Sequence, residues 1–304
     1  MIVGLGCVAH DSILFTEATL AEGKGRVARR ETRFGGNVRT ALATSAALGV
    51  PAAYLACLGT GPTSDDAVVD LREHGVDGRF IGRWAGADPL ESTIVVASDG
   101  ERYIAFDDGP LDLTPLPNPE TVARALAEAS CLIVDASTSP LGTADVVHRA
   151  RELAIPVVLD AERFGRDTGA LTAMLAVADH PVLPLHFARQ VTGCSDAVAA
   201  AEALWSEARS TLVLTDGASG SYFRSGVSTD LVFVPAYRVE ARDTNGCGDV
   251  FHGAYAAGLV RGWESERRVR FANAAAAVVA ALPPGTRRVP TVEAIAALDA
   301  SLLD

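Results

Sequence analysis

The chain has 304 residues, of which 49% are apolar, so it is long enough to bury a large core as one folded domain. Its formal net charge of −12 argues against general binding to nucleic acid or to an anionic membrane, although backbone N–H groups and a metal ion could still hold a nucleotide phosphate. The five cysteines are scattered without paired spacing, and neither a signal peptide nor a membrane-spanning run is recognised, so we expect a reduced, cytoplasmic protein without a zinc site.

Apolar strand patterns alternate with helical patterns along most of the chain. This alternation predicts a three-layer α/β/α sandwich, in which right-handed crossovers build a mostly parallel central sheet with helices on both faces. The expected strands are Ile2–Val8, Ala52–Leu58, Leu132–Val134, Val157–Leu159 and Leu212–Leu214. The expected helices are Val38–Leu48, Asp65–His74, Gly142–Leu153, Gly169–Val177 and Asp196–Ala208.

Two stretches break that alternation, because short strand patterns follow one another with Gly and Asp turns but no helix between them. We predict that they form a small β-sheet, which would act as a lid over the carboxyl ends of the parallel strands. Within one domain spanning residues 1–304, the lid is expected from residues 12–33 and 80–107. Its expected strands are Ile13–Thr16, Gly25–Thr32, Phe80–Arg83, Ser92–Ala97 and Tyr103–Phe106.

The last part of the chain returns to the core pattern. Tyr222–Arg224 and Leu231–Pro235 predict an antiparallel edge of the main sheet. Helices are then expected over Gly246–Arg261 and Glu264–Ala281, and the first of them begins inside the most informative motif of the chain.

Residues 243–254 of that motif read Asp-Thr-Asn-Gly-Cys-Gly-Asp-Val-Phe-His-Gly-Ala. The first N–H groups of a helix have no partner within the helix, and the glycines at 246 and 248 would let these groups approach an anion without a Cβ in the way. Asp249 would lie beside the same point, where a carboxylate can accept the proton of an attacking hydroxyl. The motif therefore indicates phosphoryl transfer, whereas a bare Gly-x-Gly-Asp could equally be a turn with a carboxylate that favours the helix dipole.

The full motif resembles the C-terminal signature of the ribokinase-like (PfkB) carbohydrate kinases, Asp-Thr-x-Gly-Ala-Gly-Asp-x-Phe-x-Gly-Ala, with Cys247 where alanine is usual. The resemblance implies a catalytic base, an anion hole for the γ-phosphate of ATP, and a monovalent-cation loop. By this resemblance Asp249 is the catalytic base, and the amides of Gly246, Cys247 and Gly248 form the anion hole. Asp243 and Thr244 would lie at the monovalent-cation loop. The Cys247 side chain could be a reactive thiol, because a helix N-terminus lowers a thiol pKa, or simply a small residue that fits.

A second part of the resemblance lies near the N-terminus, where Asp11 follows the first strand and a Phe-Gly-Gly-Asn run, residues 34–37, opens a helix. In the family these positions bind sugar hydroxyls, which assigns substrate binding to Asp11, Gly35, Gly36 and Asn37. Asp11 could otherwise be a loop carboxylate, and Asn37 could cap its helix. Arg39 could meet an anionic substituent or face solvent, and solvent is the simpler expectation.

The nucleotide side resembles the family at residues 215–220, where two glycines turn the chain beside the expected position of ATP. The resemblance assigns Thr215, Gly217 and Gly220 to nucleotide binding, although an ordinary β-turn has the same appearance. Asn273 and Gly285 match positions that line the adenine side in relatives. Asn273 could otherwise be a polar residue satisfied within the core.

One departure from the family concerns magnesium and the substrate. Many ribokinase relatives carry Asn-x-x-Glu where this chain has Pro184-Leu185-His186-Phe187, so Mg²⁺ would be held mostly by ATP phosphates and water. Asp160, at the end of a strand, could add a second-shell carboxylate or could cap the next turn. Ketohexokinases and sulfofructose kinases also lack that motif, and the pattern of this chain is nearest to theirs. Ser137-Thr138 stand where sulfofructose kinases place a basic residue, which argues against a sulfonated substrate.

The resemblance implies a kinase that uses ATP and Mg²⁺, with K⁺ as an optional further ion, to phosphorylate a hydroxyl of a ketose- or ribose-like sugar. Two alternatives stay open: a nucleoside kinase with Trp84, Tyr103 and Phe106 around the base, and a non-catalytic sugar or nucleotide sensor. No nucleic-acid or membrane partner is expected. Unpaired edges of the small sheet favour a homodimer formed through the lid, with a monomer as the alternative.

Overall fold

The computed structural model describes residues 1–99, 101–107, 109, 111, 114–164, 168–226, 230–283 and 289–303. In this part of the chain, strands and helices alternate much as the sequence predicts. The strands are β1 (Ile2–Leu5), β2 (Ala9–Thr16), β3 (Val27–Gly35), β4 (Ala52–Leu58), β5 (Val76–Arg83), β6 (Leu90–Val96), β7 (Arg102–Asp107), β8 (Cys131–Asp135), β9 (Val157–Asp160), β10 (His180–Pro184), β11 (Thr211–Thr215), β12 (Gly220–Ser225) and β13 (Val232–Pro235). The helices are α1 (Asn37–Ala47), α2 (Pro62–Glu73), α3 (Pro119–Glu128), α4 (Thr143–Glu152), α5 (Thr168–Val177), α6 (Leu185–Thr192), α7 (Ala197–Leu204), α8 (Cys247–Val260), α9 (Ser265–Ala281) and α10 (Val292–Leu298).

Nine strands form one large sheet in the spatial order β13-β12-β11-β10-β9-β8-β1-β4-β5. The strands β1, β4, β5 and β8–β11 are parallel, whereas β12 and β13 add an antiparallel edge. Because parallel strands all end at one edge of the sheet, the segments that follow β1, β8 and β9 meet at that edge. The mostly parallel α/β core and its antiparallel edge are therefore confirmed.

Each face of the large sheet is covered by its own layer of helices. Successive residues of a strand point to opposite faces, and the buried strands are accordingly apolar at nearly every position. In β8, Ile133 faces the core under α1, α2, α8, α9 and α10, whereas Leu132 and Val134 face the core under α3–α7. Because both faces of the large sheet are covered by helices, the site residues project from its edge, where the strands end.

Four strands form a second, smaller sheet in the order β3-β2-β6-β7, in which β2 and β6 are parallel and the other pairs antiparallel. The prediction that Phe80–Arg83 belongs to this small sheet is wrong, because the segment lies in β5 and pairs parallel with β4. The physical reason is that β5 follows α2 after a short turn and buries Val76 and Phe80, so it completes a β-α-β crossover of the large sheet.

The sequence patterns do not predict β10, α3, α6 or α10. β10 contains His180 and the prolines at positions 181 and 184, and Pro184 also precedes α6. Because proline is typical of turns, neither the strand nor the helix after it is evident from the sequence. The predicted first strand also ends earlier than expected, at Leu5. Among the described helices, none combines the length and the apolar character that crossing a membrane requires.

Candidate active site

A cleft of about 910 Å³ lies between the small sheet and the carboxyl edge of the large sheet. The small sheet lines it on one side, and the segments after β8 and β9 line it on the other together with the first turns of α1 and α8. The cleft brings together residues that are far apart in the chain and that the sequence assigned to substrate binding, to catalysis or, for Thr244, to a monovalent cation. These residues are Asp11, Gly35, Gly36, Asn37, Thr244, Gly246, Gly248 and Asp249.

One end of the cleft is the N-terminus of α8. Gly246 immediately precedes the helix with a left-handed backbone (φ 75°), which a side chain would strain. A Cβ added to Gly248 would meet no atom within 4 Å, so the space beside it is open. Cys247 is half-buried and is not among the described residues that line the cleft. The N–H of Cys247 donates to the carbonyl oxygen of Thr244 at 3.3 Å. The next N–H groups of this first turn have no acceptor within the helix, and the helix dipole adds positive charge, so the turn is suited to an anion.

Asp249 lies in the first turn of α8 and lines the cleft. Although part of its surface is exposed, desolvation by the surrounding protein raises the pKa of its carboxyl well above the ordinary value; the charges of Asp160 and Glu162 raise it further, and His252 lowers it. A carboxylate with a raised pKa is a stronger base once it is ionised. Asp249 is therefore suited to accept a proton from an alcohol.

Two buried carboxylates stand behind Asp249 at the ends of neighbouring strands, Asp135 on β8 and Asp160 on β9. Asp135 accepts a hydrogen bond of 2.7 Å from the N–H of Ser137 and another from the hydroxyl of Thr138. Burial raises the pKa of both carboxyls, and the charge of Asp135 raises that of Asp160 further. Their negative charge also contributes to the raised pKa of Asp249.

His252 ties the first turn of α8 to the large sheet. Its Nδ1 lies 2.8 Å from the carbonyl oxygen of Gly248, and its Nε2 lies 2.9 Å from that of Val182 in β10 and 3.5 Å from Asp160 Oδ1. Carbonyl oxygens only accept, so the ring can donate to both of them only when both nitrogens carry a proton. The sequence did not predict this contact, because the motif gives the residue type at position 252 but not the partners of its side chain.

The other end of the cleft is formed around Asp11, whose buried side chain projects from β2. The hydroxyl of Ser92 on β6 donates to Asp11 Oδ1 at 2.5 Å. Burial raises the pKa of Asp11, and both the Ser92 hydrogen bond and the charge of Arg33 lower it. Ser92 was not predicted, because nothing in the sequence reveals which residue of β6 pairs with Asp11.

Both glycines before α1 are required by the protein itself. A Cβ on Gly35 would collide with Asp11 Oδ2. Gly36 has a left-handed backbone (φ 98°), and a Cβ there would lie 2.7 Å from the carbonyl oxygen of Cys7. These residues therefore hold Asp11 and the start of α1 in their relative positions.

The strand register arranges four cleft-lining side chains in one row across the small sheet. Arg33 lies opposite Asp11, Asp11 opposite Ser92, and Ser92 opposite Phe106, and residues opposite one another project from the same face. Beyond the end of this polar row, the guanidinium carbon of Arg163 lies 4.4 Å from the centroid of the Phe106 ring. The row thus presents a carboxylate and a hydroxyl between two cations.

Two expectations for α1 are corrected. Gly36 is the N-cap residue, so Asn37 does not cap the helix; its Nδ2 instead donates to Asp160 Oδ2 at 3.1 Å. Arg39 does not face solvent, because it is buried and donates to both carboxylate oxygens of Asp70 on α2, at 2.7 and 2.8 Å. Helix α1 also begins beside the anion site, since a Cβ on Gly246 would lie 3.8 Å from Thr40 Cγ2.

The residues predicted to bind the nucleotide do not line this cleft in the described part of the chain. Thr215 ends β11, and Gly217 and Gly220 have positive φ values, 53° and 132°, in the turn that leads into β12. A Cβ on Gly220 would collide with the carbonyl oxygen of Val234, so this glycine serves the sheet edge itself.

Asn273 is engaged inside the protein. Its side-chain oxygen accepts from the hydroxyl of Ser221 at 2.8 Å, and its Nδ2 donates to the carbonyl oxygen of Val234 at 3.3 Å. This arrangement favours the alternative that Asn273 is a polar residue satisfied within the core. Gly285, matched to the adenine side by the same resemblance, lies outside the described residues.

Within the described ranges, no three or more His, Cys, Asp or Glu side chains are arranged to hold a metal ion. The carboxylates that line the cleft, Asp11, Glu162 and Asp249, are oxygen donors of the kind that suits Mg²⁺, which commonly also keeps phosphate and water ligands. The predicted monovalent-cation residues already have protein partners. Asp243 Oδ1 accepts from the N–H of Asn245 at 2.8 Å, and Thr244 Oγ1 accepts from Arg102 at 2.9 Å.

The fold and the cleft together define a ribokinase-like α/β enzyme. A family profile described as pfkB family carbohydrate kinase matches residues 1–291. The chain therefore belongs to the pfkB family of carbohydrate kinases, whose members are phosphotransferases.

Known relatives agree with this assignment. The chain is 22% identical over 262 residues to the ribokinase of Haemophilus influenzae, covering 85% of this chain and 84% of the relative. It is 27% identical over 284 residues to an ATP-dependent ribose-1-phosphate kinase of Halopiger xanaduensis, covering 91% and 90%. The crystal structure of a candidate ribokinase from Agrobacterium tumefaciens matches with a TM-score of 0.88 at 24% identity, covering 100% of this chain and 98% of that one, which shows the shared fold. None of these three is a sulfofructose kinase or ketohexokinase, so that nearer resemblance stays a prediction.

Proposed function

We propose that this kinase transfers the γ-phosphoryl group of ATP to a hydroxyl of a small sugar in the ketose or ribose range. The observation that carries the proposal is a single cleft in which Asp249 and the open N-terminus of α8 share the space with Asp11 and Ser92. The ribokinase and ribose-1-phosphate kinase relatives support a sugar as the acceptor.

In the proposed reaction, Asp11 and Asn37 orient the acceptor, whose hydroxyl oxygen attacks the γ-phosphorus of ATP. Asp249 takes the hydroxyl proton as the bond from the γ-phosphorus to the bridging oxygen breaks and ADP leaves. The backbone N–H groups of residues 246–248 stabilise the negative charge on the group in transfer. Mg²⁺, bound through ATP phosphates, water and the cleft-lining carboxylate of Glu162, would neutralise phosphate charge.

On this proposal the nucleotide extends from the start of α8 towards the turn at Thr215, Gly217 and Gly220. Asn273 then supports that turn from inside, because it holds Ser221 and the carbonyl oxygen of Val234. A dependence on K⁺ through Asp243 and Thr244 stays a prediction, which activity in K⁺, Na⁺ and choline salts would test.

The small sheet is proposed to act as a lid. Its cleft-facing residues include the apolar Ile94, Ile104 and Phe106, and the last two are each 41% exposed. Closure over a bound acceptor would bury this apolar surface and exclude water, which would otherwise compete with the acceptor for the phosphoryl group.

The lid aromatics favour a sugar over a nucleoside. Of the three residues that could surround a base, Trp84 lies between β5 and β6 and does not line the described part of the cleft. Tyr103 alternates with Arg102 and Ile104 along β7, so it projects from the other face of the sheet. Phe106 does line the cleft, but the guanidinium of Arg163 already covers its ring.

An acceptor screen with an ADP-release assay tests the proposal, with pentoses, hexoses, ketoses, sugar phosphates, aldonates and nucleosides as acceptors. The Asp249→Asn variant serves as the blank for background ATP hydrolysis. Turnover of one or more sugars is the expected result. Turnover of nucleosides alone would replace the proposal with a nucleoside kinase, and saturable sugar binding by calorimetry without any turnover would indicate a sensor.

We further propose a cytoplasmic homodimer that assembles through the small sheet. The cytoplasmic location rests on the five scattered cysteines, whose spacing is typical of a reduced protein. Strands β3 and β7 form the two edges of the small sheet, and Tyr103 on β7 is 63% exposed. Light scattering on the purified protein and on Tyr103→Glu is the direct test, and a wild-type monomer would refute the dimer.

A further inference from the structure

We infer that the acceptor of this kinase carries an anionic group, a phosphate or a carboxylate, and that this group binds the guanidinium of Arg33 beside Asp11. The inference rests on the proposed function and narrows its substrate class. Asp11 would bind a hydroxyl of the same acceptor. Two neighbouring side chains would therefore recognise a neutral group and a charged group of one molecule.

The position of Arg33 follows from the register of β2 and β3. Arg33 pairs directly with Asp11, lines the cleft and is half-buried. This closeness lets the positive charge of Arg33 lower the pKa of the Asp11 carboxyl. A ligand held by Asp11 therefore lies within reach of the Arg33 guanidinium, whose planar fork of N–H donors fits phosphate and carboxylate oxygens.

The other arginines of the cleft are already engaged. Arg39 makes a bidentate ion pair with Asp70, Arg102 donates to Thr244, and Arg163 lies over Phe106. In the part of the chain that the structure describes, Arg33 has neither an ion-pair partner nor a hydrogen-bond acceptor for its guanidinium. A half-buried cation without a hydrogen-bonded partner has lost part of its hydration. The neighbouring carboxylate of Asp11 compensates only in part, and a bound anion would supply the hydrogen bonds.

The phosphates of ATP are unsuited to be this anion. In the sheet order β3-β2-β6-β7, β7 contacts the loop before α8 through Arg102 and Thr244, whereas Arg33 lies on the opposite edge strand. Three inter-strand steps separate these edges, or about 14 Å at roughly 4.8 Å for each step. The N-terminus of α8 already provides N–H groups for the phosphoryl group in transfer, and Arg33 pairs with Asp11, so we assign Arg33 to the acceptor side of the cleft.

The competing explanation is that Arg33 only keeps Asp11 ionised. The two explanations differ in what they predict for neutral and anionic acceptors. Support of Asp11 would help every acceptor equally, because each binds Asp11. Recognition of an anion would help only acceptors that carry one.

The test compares kcat/KM for ribose with that for ribose 1-phosphate, ribose 5-phosphate and ribonate, in the wild type and in Arg33→Gln. We expect the wild type to prefer an anionic acceptor. Arg33→Gln should lower kcat/KM for that acceptor about 10- to 100-fold, mainly through KM, and should change the value for ribose less than about threefold. Comparison of the two ribose phosphates with ribonate identifies whether Arg33 binds a phosphate or a carboxylate. Arg30→Gln is the matched control, because Arg30 is exposed on the same strand and projects from the opposite face.

Equal losses for ribose and for the anionic acceptors in Arg33→Gln would overturn the inference, as would a wild-type preference for ribose. If the glutamine variant does not fold, Arg33→Lys keeps the charge without the fork and should retain the anionic preference at a higher KM. If the wild type turns over no acceptor, calorimetry with ribose 1-phosphate still decides. Binding that Arg33→Gln weakens would then uphold the anion site while the proposed reaction fails, and unweakened binding would refute both.

Discussion

The two ends of the cleft differ in the chemical groups that form them, which are backbone groups at one end and side chains at the other. At the start of α8 the anion site consists of backbone N–H groups, and the helix behind it is buried from Val250 to Gly258. At the small sheet the acceptor site consists of side chains from different strands, including Asp11, Arg33 and Ser92. A backbone site leaves little for substitution to change, whereas side chains on a sheet can be exchanged one at a time. On the proposed function, α8 would determine the chemistry and the small sheet would determine the substrate.

The largest expected effect is at the one side chain that the phosphoryl end requires. Asp249→Asn keeps the shape of the residue but removes the base, so kcat should fall by about 10²- to 10⁴-fold. ATP affinity, measured by calorimetry without acceptor, should stay close to the wild-type value, because the backbone N–H groups are unchanged.

The Asp299→Asn variant controls for loss of a carboxylate elsewhere, since Asp299 is not among the described residues that line the cleft and pairs with Arg270 and Tyr237. Near-normal turnover of Asp249→Asn would remove Asp249 from the proposed reaction. A loss of ATP binding as large as the loss of kcat would instead show that the side chain serves the anion site itself.

The second prediction separates two glycines of α8. A Cβ at Gly248 would enter open space, so Gly248→Ala should fold normally but lose about 10²- to 10³-fold in kcat, because its methyl group would occupy part of the anion site. A Cβ at Gly253 would collide with the carbonyl oxygen of Ala41, so Gly253→Ala should lower the free energy of unfolding by about 1–3 kcal/mol.

Urea denaturation and steady-state kinetics of both variants give the answer. Destabilisation by Gly248→Ala that matches Gly253→Ala would mean that Gly248 serves the packing of the helix and not the binding of an anion.

The sequence shows more of the proposed phosphoryl end than of the proposed acceptor end for a physical reason. A backbone site needs contiguous residues, so residues 246–249 appear together in the sequence. The polar row of Arg33, Asp11, Ser92 and Phe106 comes from strands whose register no local pattern records. Phe80–Arg83 was misassigned for a related reason, because a short strand pattern does not reveal which sheet it joins.

The third prediction concerns pH and the charges around Asp249. Asp249 must be ionised to accept a proton, and burial and the charge of Asp160 raise its pKa, so kcat should fall as pH drops through that raised value. Asp160→Asn removes a negative charge, which should lower the pKa of Asp249 and move the acidic limb of the kcat profile to lower pH. His252→Asn removes the group that lowers the pKa of Asp249 and should move the limb to higher pH.

These opposite shifts are measured from kcat against pH at saturating substrates, with Asp299→Asn as the control that should not shift. Shifts in the same direction for both variants would mean that the limb reports general damage to the site and not the ionisation of Asp249.

A smaller effect is expected for a single side chain of the acceptor end. Ser92→Ala removes one hydrogen bond to Asp11, so the KM for the acceptor should rise by about threefold to tenfold while kcat and the KM for ATP change little. Thr93→Ala is the matched control, since Thr93 is the next residue of β6 and projects from the opposite face. An equal rise in the KM for ATP would break the proposed division between the two ends of the cleft.

The smallest effect is expected for Cys247, which is the only one of the three proposed anion-site residues that is not a glycine. If the phosphoryl end is built from backbone N–H groups, the Cys247 side chain can be replaced as long as its N–H keeps its place, so Cys247→Ala should keep kcat and both KM values within about twofold. Labelling of wild-type Cys247 by a thiol reagent, with and without ATP, tests the alternative of a reactive thiol at the helix N-terminus. Labelling no faster than that of a model thiol would support the backbone site. Rapid labelling that ATP prevents, together with a large loss of activity in Cys247→Ala, would give this side chain a part in the phosphoryl end and so weaken the contrast between the two halves of the cleft.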